Sequence, residues 1–311
     1  MFEKVLVPTD FSSYAHKMQE CLADMPGIEE VVLLNVVDGG NPMNLEKKGW
    51  SYDSLIDEAD TRLAEQADHL SRLGEKGLSV RPLLRIIVEP MSGADGVDMK
   101  RLLPKSGLDL IEGGSVGEAI IKIAAEEKVS LICMGAQGRG LVEGMLLGSV
   151  STEVLRKGQT DLLIIRHKIL ESGKDGEHEL FCRDIFSKVM LTSDFSDAGQ
   201  QAISLARDLP GVREILLVHV IAKENDFDEA AKKLNLLRVE LEGQGRKITV
   251  HVLMGAPAEE ILNLAKSQDV SLIMMGSQGK SWSRQIRVGS TTFDVARQTL
   301  SPVMVVRPKN S

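Results

Sequence analysis

The residues best placed to do chemistry are glycines, and they occur twice in one pattern. Leu131-Ile132-Cys133-Met134 runs into Gly135-Ala136-Gln137-Gly138, and nine residues later comes Gly148-Ser149. Further along, Met275 runs into Gly276-Ser277-Gln278-Gly279, followed after another nine residues by Gly289-Ser290. Glycines let backbone N–H groups approach an anion closely, and Gly-Ser opening a helix offers free N–H groups and a dipole that favour negative charge. Phosphate is the natural guest. Ser149 and Ser290 would act as N-caps when the site is empty and donate a hydroxyl when it is filled. The plainer alternative is turn glycines before a capped helix. Repetition at equal spacing favours the phosphate reading, although a duplication would itself preserve spacing for a while.

A second pair of motifs closes the first strand of each repeat: Pro8-Thr9-Asp10 and Thr192-Ser193-Asp194. A carboxylate there is poorly suited to phosphate and well suited to ribose hydroxyls. It would also serve as the N-cap of the next helix, and the two roles can coexist. Val36-Val37 and Val220-Ile221, ending the second strand, could cover a purine face or simply fill the core.

These residues need elements to hold them, and the elements also repeat. Val5 to Ser12 matches Val189 to Ser196 at an offset of 184, and Pro26 to Leu34 falls on Pro210 to Val218. From Gly114 onward the offset is 141, so the first copy carries 43 additional residues. The repeat predicts a first domain over 1–168 with an insertion around 38–113, a polar Gly-containing linker over 169–184, and a second domain over 185–311. In the second copy, strands are expected at Lys188 to Thr192, Glu214 to Ile221, Lys247 to Met254, Ser271 to Met275 and Val303 to Val306. Helices are expected at Ser196 to Leu209, Asp228 to Gly243, Ala258 to Ser267 and Ser290 to Thr299. Strands that are apolar throughout, such as Leu272-Ile273-Met274-Met275, imply a sheet covered on both faces, and their alternation with helices implies parallel order. The fold class is therefore α/β: two tandem, open, doubly wound five-stranded parallel sheets. Ligands bind such sheets at the carboxyl ends of the strands, where strand order reverses. In the first copy, Leu55, Ile56, Ala59, Leu63, Ala67, Leu70 and Leu73 mark a long helix assigned to the insertion. Glu89 to Asp109 reads as a loop or lid, or as an insertion without a role.

Composition narrows the classes. The 311 residues suit two domains, with 43% apolar and 26% charged residues. No apolar stretch is long enough to span a bilayer, and the opening Phe2 to Val7 reads as a strand rather than a signal peptide. The net charge of -8 argues against nucleic acid or anionic membrane as partner. Cys21, Cys133 and Cys182 are too scattered for a disulfide framework or a CxxC metal site, which fits a reducing cytoplasm. No GxxxxGK[ST] or HExxH motif is present. Among the six histidines, His219 and His251 sit in strands and read as core or sheet-edge residues. No catalytic residue and no metal ligand is assigned.

Gly-x-x-Gly, nine residues, then Gly-Ser, after a Met-ended strand and with a first strand ending in Pro-Thr-Asp, resembles the ATP-binding class of universal stress proteins. The resemblance covers nearly the whole chain as two copies. It implies the adenine nucleotide α-hydrolase-like fold, ATP or AMP as ligand with Mg²⁺ as a candidate companion, and regulation by nucleotide occupancy with little or no turnover. The alternatives are slow ATP hydrolysis and a nucleotide-free interaction scaffold. Carried over, it implicates Pro8, Thr9, Asp10, Val36, Met134, Gly135, Gly138, Gly148, Ser149 and Val150 in the first copy. In the second it implicates Thr192, Ser193, Asp194, Val220, Met275, Gly276, Gly279, Gly289 and Ser290. The second copy departs by lacking the Pro before its Asp and by having Thr291 where the first has Val150, so occupancy of the two sites can differ. Because the last strand pairs such domains in dimers, the resemblance also implies that the two copies pack as an intramolecular pseudo-dimer. Whether two chains join as a homodimer, and which protein is the partner, stay open.

Overall fold

The computed structural model describes residues 2–38, 52–73, 78–88, 110–136, 147–166, 184–243, 245–279 and 288–308. The first half runs β1 (Lys4–Pro8), α1 (Ser13–Glu20), β2 (Glu30–Asp38), α2 (Tyr52–Ser71), β3 (Ser79–Val88), β4 (Leu110–Glu112), α3 (Val116–Glu126), β5 (Leu131–Gly135), α4 (Ser149–Lys157) and β6 (Asp161–Ile165). The second runs β7 (Lys188–Thr192), α5 (Asp197–Asp208), β8 (Glu214–Ile221), α6 (Phe227–Leu241), β9 (Lys247–Met254), α7 (Pro257–Ser267), β10 (Leu272–Gly276), α8 (Ser290–Gln298) and β11 (Val303–Val306). Each predicted element of the second half is present, with ends shifted by a residue or two at most of the helices.

The eleven strands among the described residues form one sheet in the order β4-β3-β2-β1-β5-β6-β11-β10-β7-β8-β9. Neighbours are parallel except β6 and β11, which pair antiparallel through Leu162↔Val305, Leu163↔Met304 and Ile164↔Val303. In the first half the chain moves outward from β1 through β2 to β3, then returns to place β5 on the other side of β1. In the second it does the same around β7 and β10. Each half thus has a switch point between its first strand and the strand that carries the glycine motif.

The strands are buried because helices cover both faces. Val5 and Val7 point into a core with Met18, Leu63, Ile203 and Leu234, so α1, α2, α5 and α6 lie on that side. Leu6 and Met134 point the other way, toward Ile120, Val154, Ile261 and Val295 of α3, α4, α7 and α8. Period-two alternation within an all-apolar strand supplies both layers, each fully buried Leu, Ile or Val contributing roughly 1.5–3 kcal/mol. Ser12, Ser115 and Ser196 start α1, α3 and α5 by accepting the N–H of Ala15, Glu118 and Gly199.

Side chains reinforce the antiparallel join. Arg307, just past β11, donates its N–H to Asp161 Oδ1 at 2.7 Å and its guanidinium to Leu155 O at the end of α4. The Arg156 guanidinium lies 4.3 Å from the ring centroid of Phe293 in the first turn of α8. Arg166, following β6, is almost fully buried, and burial pulls its guanidinium down to about 10.

Three expectations are corrected. The long helix is not part of an insertion: α2 packs between α1 and β3 as α6 packs on β8 and β9, with Ala59 and Leu63 playing the parts of Ala230 and Leu234. Helical period identified it as a helix, but without a matching residue pattern nothing in the sequence registered it against its counterpart. The first half also carries a sixth, short strand, β4, beside Ile86–Val88. Cys21 is disulfide-bonded, so the cysteines are not all unpaired and the argument from them to a reducing compartment is lost. Cys133 is free and buried, and burial pushes its thiol up to about 12. Cys182, the reading of Glu89 to Asp109 and most of the linker lie outside the described residues. No described helix is long and apolar enough to cross a membrane.

Candidate functional site

The site is assembled where β7 ends. Thr192 is buried opposite Val218, and Ser193 makes the last ladder bond of the strand, its N–H donating to Val218 O at 2.9 Å. The chain then turns sharply. Asp194 Oδ1 accepts the Ser196 N–H at 3.1 Å, and Ser193 Oγ accepts the Phe195 N–H at 3.1 Å. Phe195 is held at φ 60°, a left-handed conformation that costs a bulky side chain ~1–2 kcal/mol. Two contacts restrain it: the His219 ring at 4.5 Å between centroids, and Lys233 Nζ at 5.5 Å over its face.

The first half repeats this turn. Ser12 N–H donates to Asp10 Oδ1 at 3.0 Å, Phe11 N–H donates to Thr9 Oγ1 at 3.1 Å, and Phe11 also stands at φ 60°. The Arg62 guanidinium lies 4.7 Å over the Phe11 ring, the counterpart of Lys233. Thr9 differs from Ser193 in donating its hydroxyl to Gln66 Oε1 at 2.9 Å. Pro8 is half-buried at the end of β1, opposite Leu34. Neither Asp is the N-cap entertained as its alternative role. Ser12 and Ser196 cap the helices, and each Asp spends one carboxylate oxygen on the turn.

The glycine motif reaches the same place from β10. Gly276 ends the strand against the first turn of α5, where a Cβ would lie 2.8 Å from the Ala198 carbonyl carbon and 2.9 Å from Gly199 N. Gly279 lies beneath the turn, where a Cβ would sit 2.6 Å from Asp194 Oδ2. Only glycine fits either position without displacement. Ser196 Oγ gives its proton to Asp194 Oδ1 at 2.5 Å and lies 3.3 Å from Gln278 O, which brings the two segments side by side. The Asp turn and the glycine loop, far apart in sequence, are therefore in contact.

A hydroxyl latch sets the helix that follows. Gly289 N–H donates to Ser277 O at 2.7 Å, Ser277 N–H to Val306 O at 2.8 Å, and Thr292 Oγ1 to Gly276 O at 2.9 Å. Gly148 to Ala136, Ala136 to Ile165 and Ser151 to Gly135 make the same three bonds at 2.7, 2.8 and 2.9 Å. The predicted serine caps are corrected: Gly148 and Gly289 occupy the cap positions with no side-chain cap bond, and Ser149 and Ser290 are exposed first-turn residues. The serines sit one residue inside the helix because the preceding glycines supply the extended cap conformation. The first N–H groups of α4 and α8 thus lack the side-chain cap that α1 and α5 have.

Met134 and Met275 are buried in the core layer on the glycine-loop side, with Val36, Val150 and Val220 half-buried against it. Val37 and Ile221, the other purine-face candidates, are buried. Thr291 is half-buried at the Val150 position. Gly138 lies outside the described residues. Sequence reasoning missed Asn35 and His219, Phe11 and Phe195, Arg62 and Lys233, and the latch residues Ser151 and Thr292. Asn35 and His219 had a readable signal: each is the lone polar residue in the apolar run of its strand, at the same place in the repeat. His219 is neither core nor sheet edge. It stands half-buried in an interior strand, with Nδ1 2.7 Å from Ser193 O.

Two doubly wound halves of one sheet, the second with its glycine loop against its carboxylate turn at the switch point, define a tandem α/β protein. The chain belongs to the universal stress protein family, whose profile matches residues 1–166 and again 186–307. Universal stress protein Rv1996 of Mycobacterium tuberculosis H37Rv is 24% identical over 324 residues, covering 97% of this chain and 94% of that protein. Universal stress protein MJ0577 of Methanocaldococcus jannaschii is 28% identical over 159 residues, 98% of its length but 41% of this chain, and so corresponds to one half. The crystal structure of a universal stress protein from Archaeoglobus fulgidus DSM 4304 matches 99% of this chain and 100% of its own, with a TM-score of 0.69 at 23% identity.

Proposed function

We propose that the protein binds one adenine nucleotide, ATP or AMP, in each half, and that occupancy rather than turnover is its output in a stress response. The observation that carries the reading is the contact of Gly279 with the Asp194 carboxylate, beside a helix start without a side-chain cap. A nucleotide offers groups that complement all three features. Asp10 and Asp194 would accept ribose hydroxyls, and Val36 and Val220 would lie along the base. The backbone N–H groups of Gly135, Gly138 and Gly148, and of Gly276, Gly279 and Gly289, would hold the phosphates, with Ser149 and Ser290 adding hydroxyls from the first turn. Pro8, Thr9, Met134, Val150, Thr192, Ser193 and Met275 complete the two sets as the residues that shape the turn and the strand end. When bound, the nucleotide supplies negative charge and a rigid bridge between the Asp turn and the glycine loop.

The domains run 1–168 and 185–311 with a linker over 169–184. The antiparallel β6–β11 pair supports reading the two halves as an intramolecular pseudo-dimer that acts as one unit. The test is to denature the purified protein by heat without added ligand and identify released small molecules by mass spectrometry, then titrate it with ATP and AMP. Adenine nucleotide released or bound with micromolar affinity is the expected result. Failure to bind either overturns the reading, and multiple turnovers of ATP per minute would overturn the output assigned to occupancy.

A further inference from the structure

In each half, the residue before the Asp is held at both of its backbone groups. Its N–H stays in the sheet: Thr9 N–H donates to Leu34 O at 2.8 Å, and Ser193 N–H to Val218 O at 2.9 Å. Its carbonyl is met by a side chain instead, from the residue after Leu34 or Val218 on the neighbouring strand. Asn35 Nδ2 donates to Thr9 O at 2.8 Å, and His219 Nδ1 lies 2.7 Å from Ser193 O. A carbonyl only accepts, so the His219 Nδ1 carries a proton. An amide and an imidazole make one bond at matching places in the repeat.

That bond bears on the Asp directly. The carbonyl belongs to the peptide unit leading into Asp10 or Asp194, so its direction fixes the plane from which the carboxylate departs. The following Phe is at φ 60° in both halves, a turn that must be held from several sides. In the second half the tolerance is small, because Asp194 Oδ2 already stands within a missing methyl of Gly279. Rotation of the Ser193–Asp194 peptide would move the carboxylate into the glycine loop or away from it.

We propose that Asn35 and His219 are positioning residues of the two sites, each locking the peptide that leads into its Asp. The inference rests on the nucleotide reading. It makes His219 interchangeable with asparagine, since the first half already uses that solution, and not with any residue that lacks a donor at that distance.

The test is binding of ATP followed by native mass spectrometry, with 8-azido-ATP labelling and peptide mapping to assign each site, and thermal unfolding without nucleotide alongside. His219→Phe keeps a ring against Phe195 and removes the donor; His219→Asn restores it. His219→Phe is expected to weaken the second site at least tenfold and leave the first unchanged, while His219→Asn stays within about threefold of wild type. Asn35→Leu should weaken the first site alone. If His219→Phe does not fold, His219→Gln, whose longer arm displaces the donor, replaces it with the same expected loss. Binding by the donor-less variant as tight as wild type, or no rescue by asparagine, overturns the inference alone. A wild-type protein that takes up no ATP overturns the nucleotide reading and the inference with it.

Discussion

The turn after β1 and the turn after β7 share Asp-Phe-Ser and nearly all geometry, while the residues that brace them differ. Pro8-Thr9-Asp10 and Thr192-Ser193-Asp194 have only the Asp in common, yet both form the same Asx turn and the same left-handed Phe. The carbonyl before the Asp finds an amide in one and an imidazole in the other. The cation over the Phe ring is Arg62 in one and Lys233 in the other. What the comparison teaches is that, around an identical Asp-Phe-Ser, the repeat preserves the hydrogen-bonding and cation roles of the bracing residues rather than their identities. Where roles differ, the sites differ: Gln66 fixes the Thr9 hydroxyl in the first half, whereas Leu237 occupies that part of α6 in the second.

The comparison breaks most visibly at Gly279. Gly279→Val places a branched side chain where even a Cβ would lie 2.6 Å from Asp194 Oδ2. We expect loss of second-site nucleotide affinity by about 100-fold or more, with first-site binding intact, read by isothermal titration calorimetry. Equal weakening of both sites would mean that the halves do not bind independently.

The join between the halves comes next. Leu163 is fully buried opposite Met304 in the antiparallel pair. Leu163→Ala should destabilise the protein by about 2–5 kcal/mol in urea unfolding. If the two halves unfold as one unit, a single transition shifts; two transitions, only one of them moved, would show that they are independent.

The latch is a finer comparison, since Ser151 and Thr292 make the same bond to Gly135 and Gly276. Thr292→Val leaves the Gly276 carbonyl without that partner and is expected to cost about 1–2 kcal/mol. Second-site affinity should fall alongside, while Ser151→Ala does the same for the first half.

The fold was legible because its signals are local and repeated. Leu272 to Met275 had to be a strand covered on both faces, and the observed β10 ends within one residue of the expected place. The glycine spacing and both Asp positions were also legible, as each motif occurs twice. The rest depended on tertiary contact. That Gly279 touches Asp194 is a consequence of strand order, invisible in residues 85 positions apart. Tyr52–Ser71 has the period of a helix, but only its packing on β2 and β3 shows that it is the counterpart of α6. Ser149 and Ser290 looked like caps from composition, whereas the backbone puts the cap one residue earlier.

The smallest expected effect separates the halves by pH. At the amino-terminal ends of β1 and β3, Lys4 and then Arg81 bond Glu127 and hold its carboxyl below the usual range. A lowered carboxyl stabilises the fold above its unfolded value of about 4.3 and loses that contribution as pH falls through the folded value. Glu127→Gln should therefore be slightly less stable than wild type at pH 7 and converge with it near pH 3 in thermal unfolding.

The most direct measurement is the number of ATP molecules held per chain, counted by native mass spectrometry in wild type and in Asp10→Ala and Asp194→Ala. Two in the wild type and one in each variant is the result expected of paired sites built on these carboxylates. A count unaffected by either substitution, or a wild type that holds none, would contradict it.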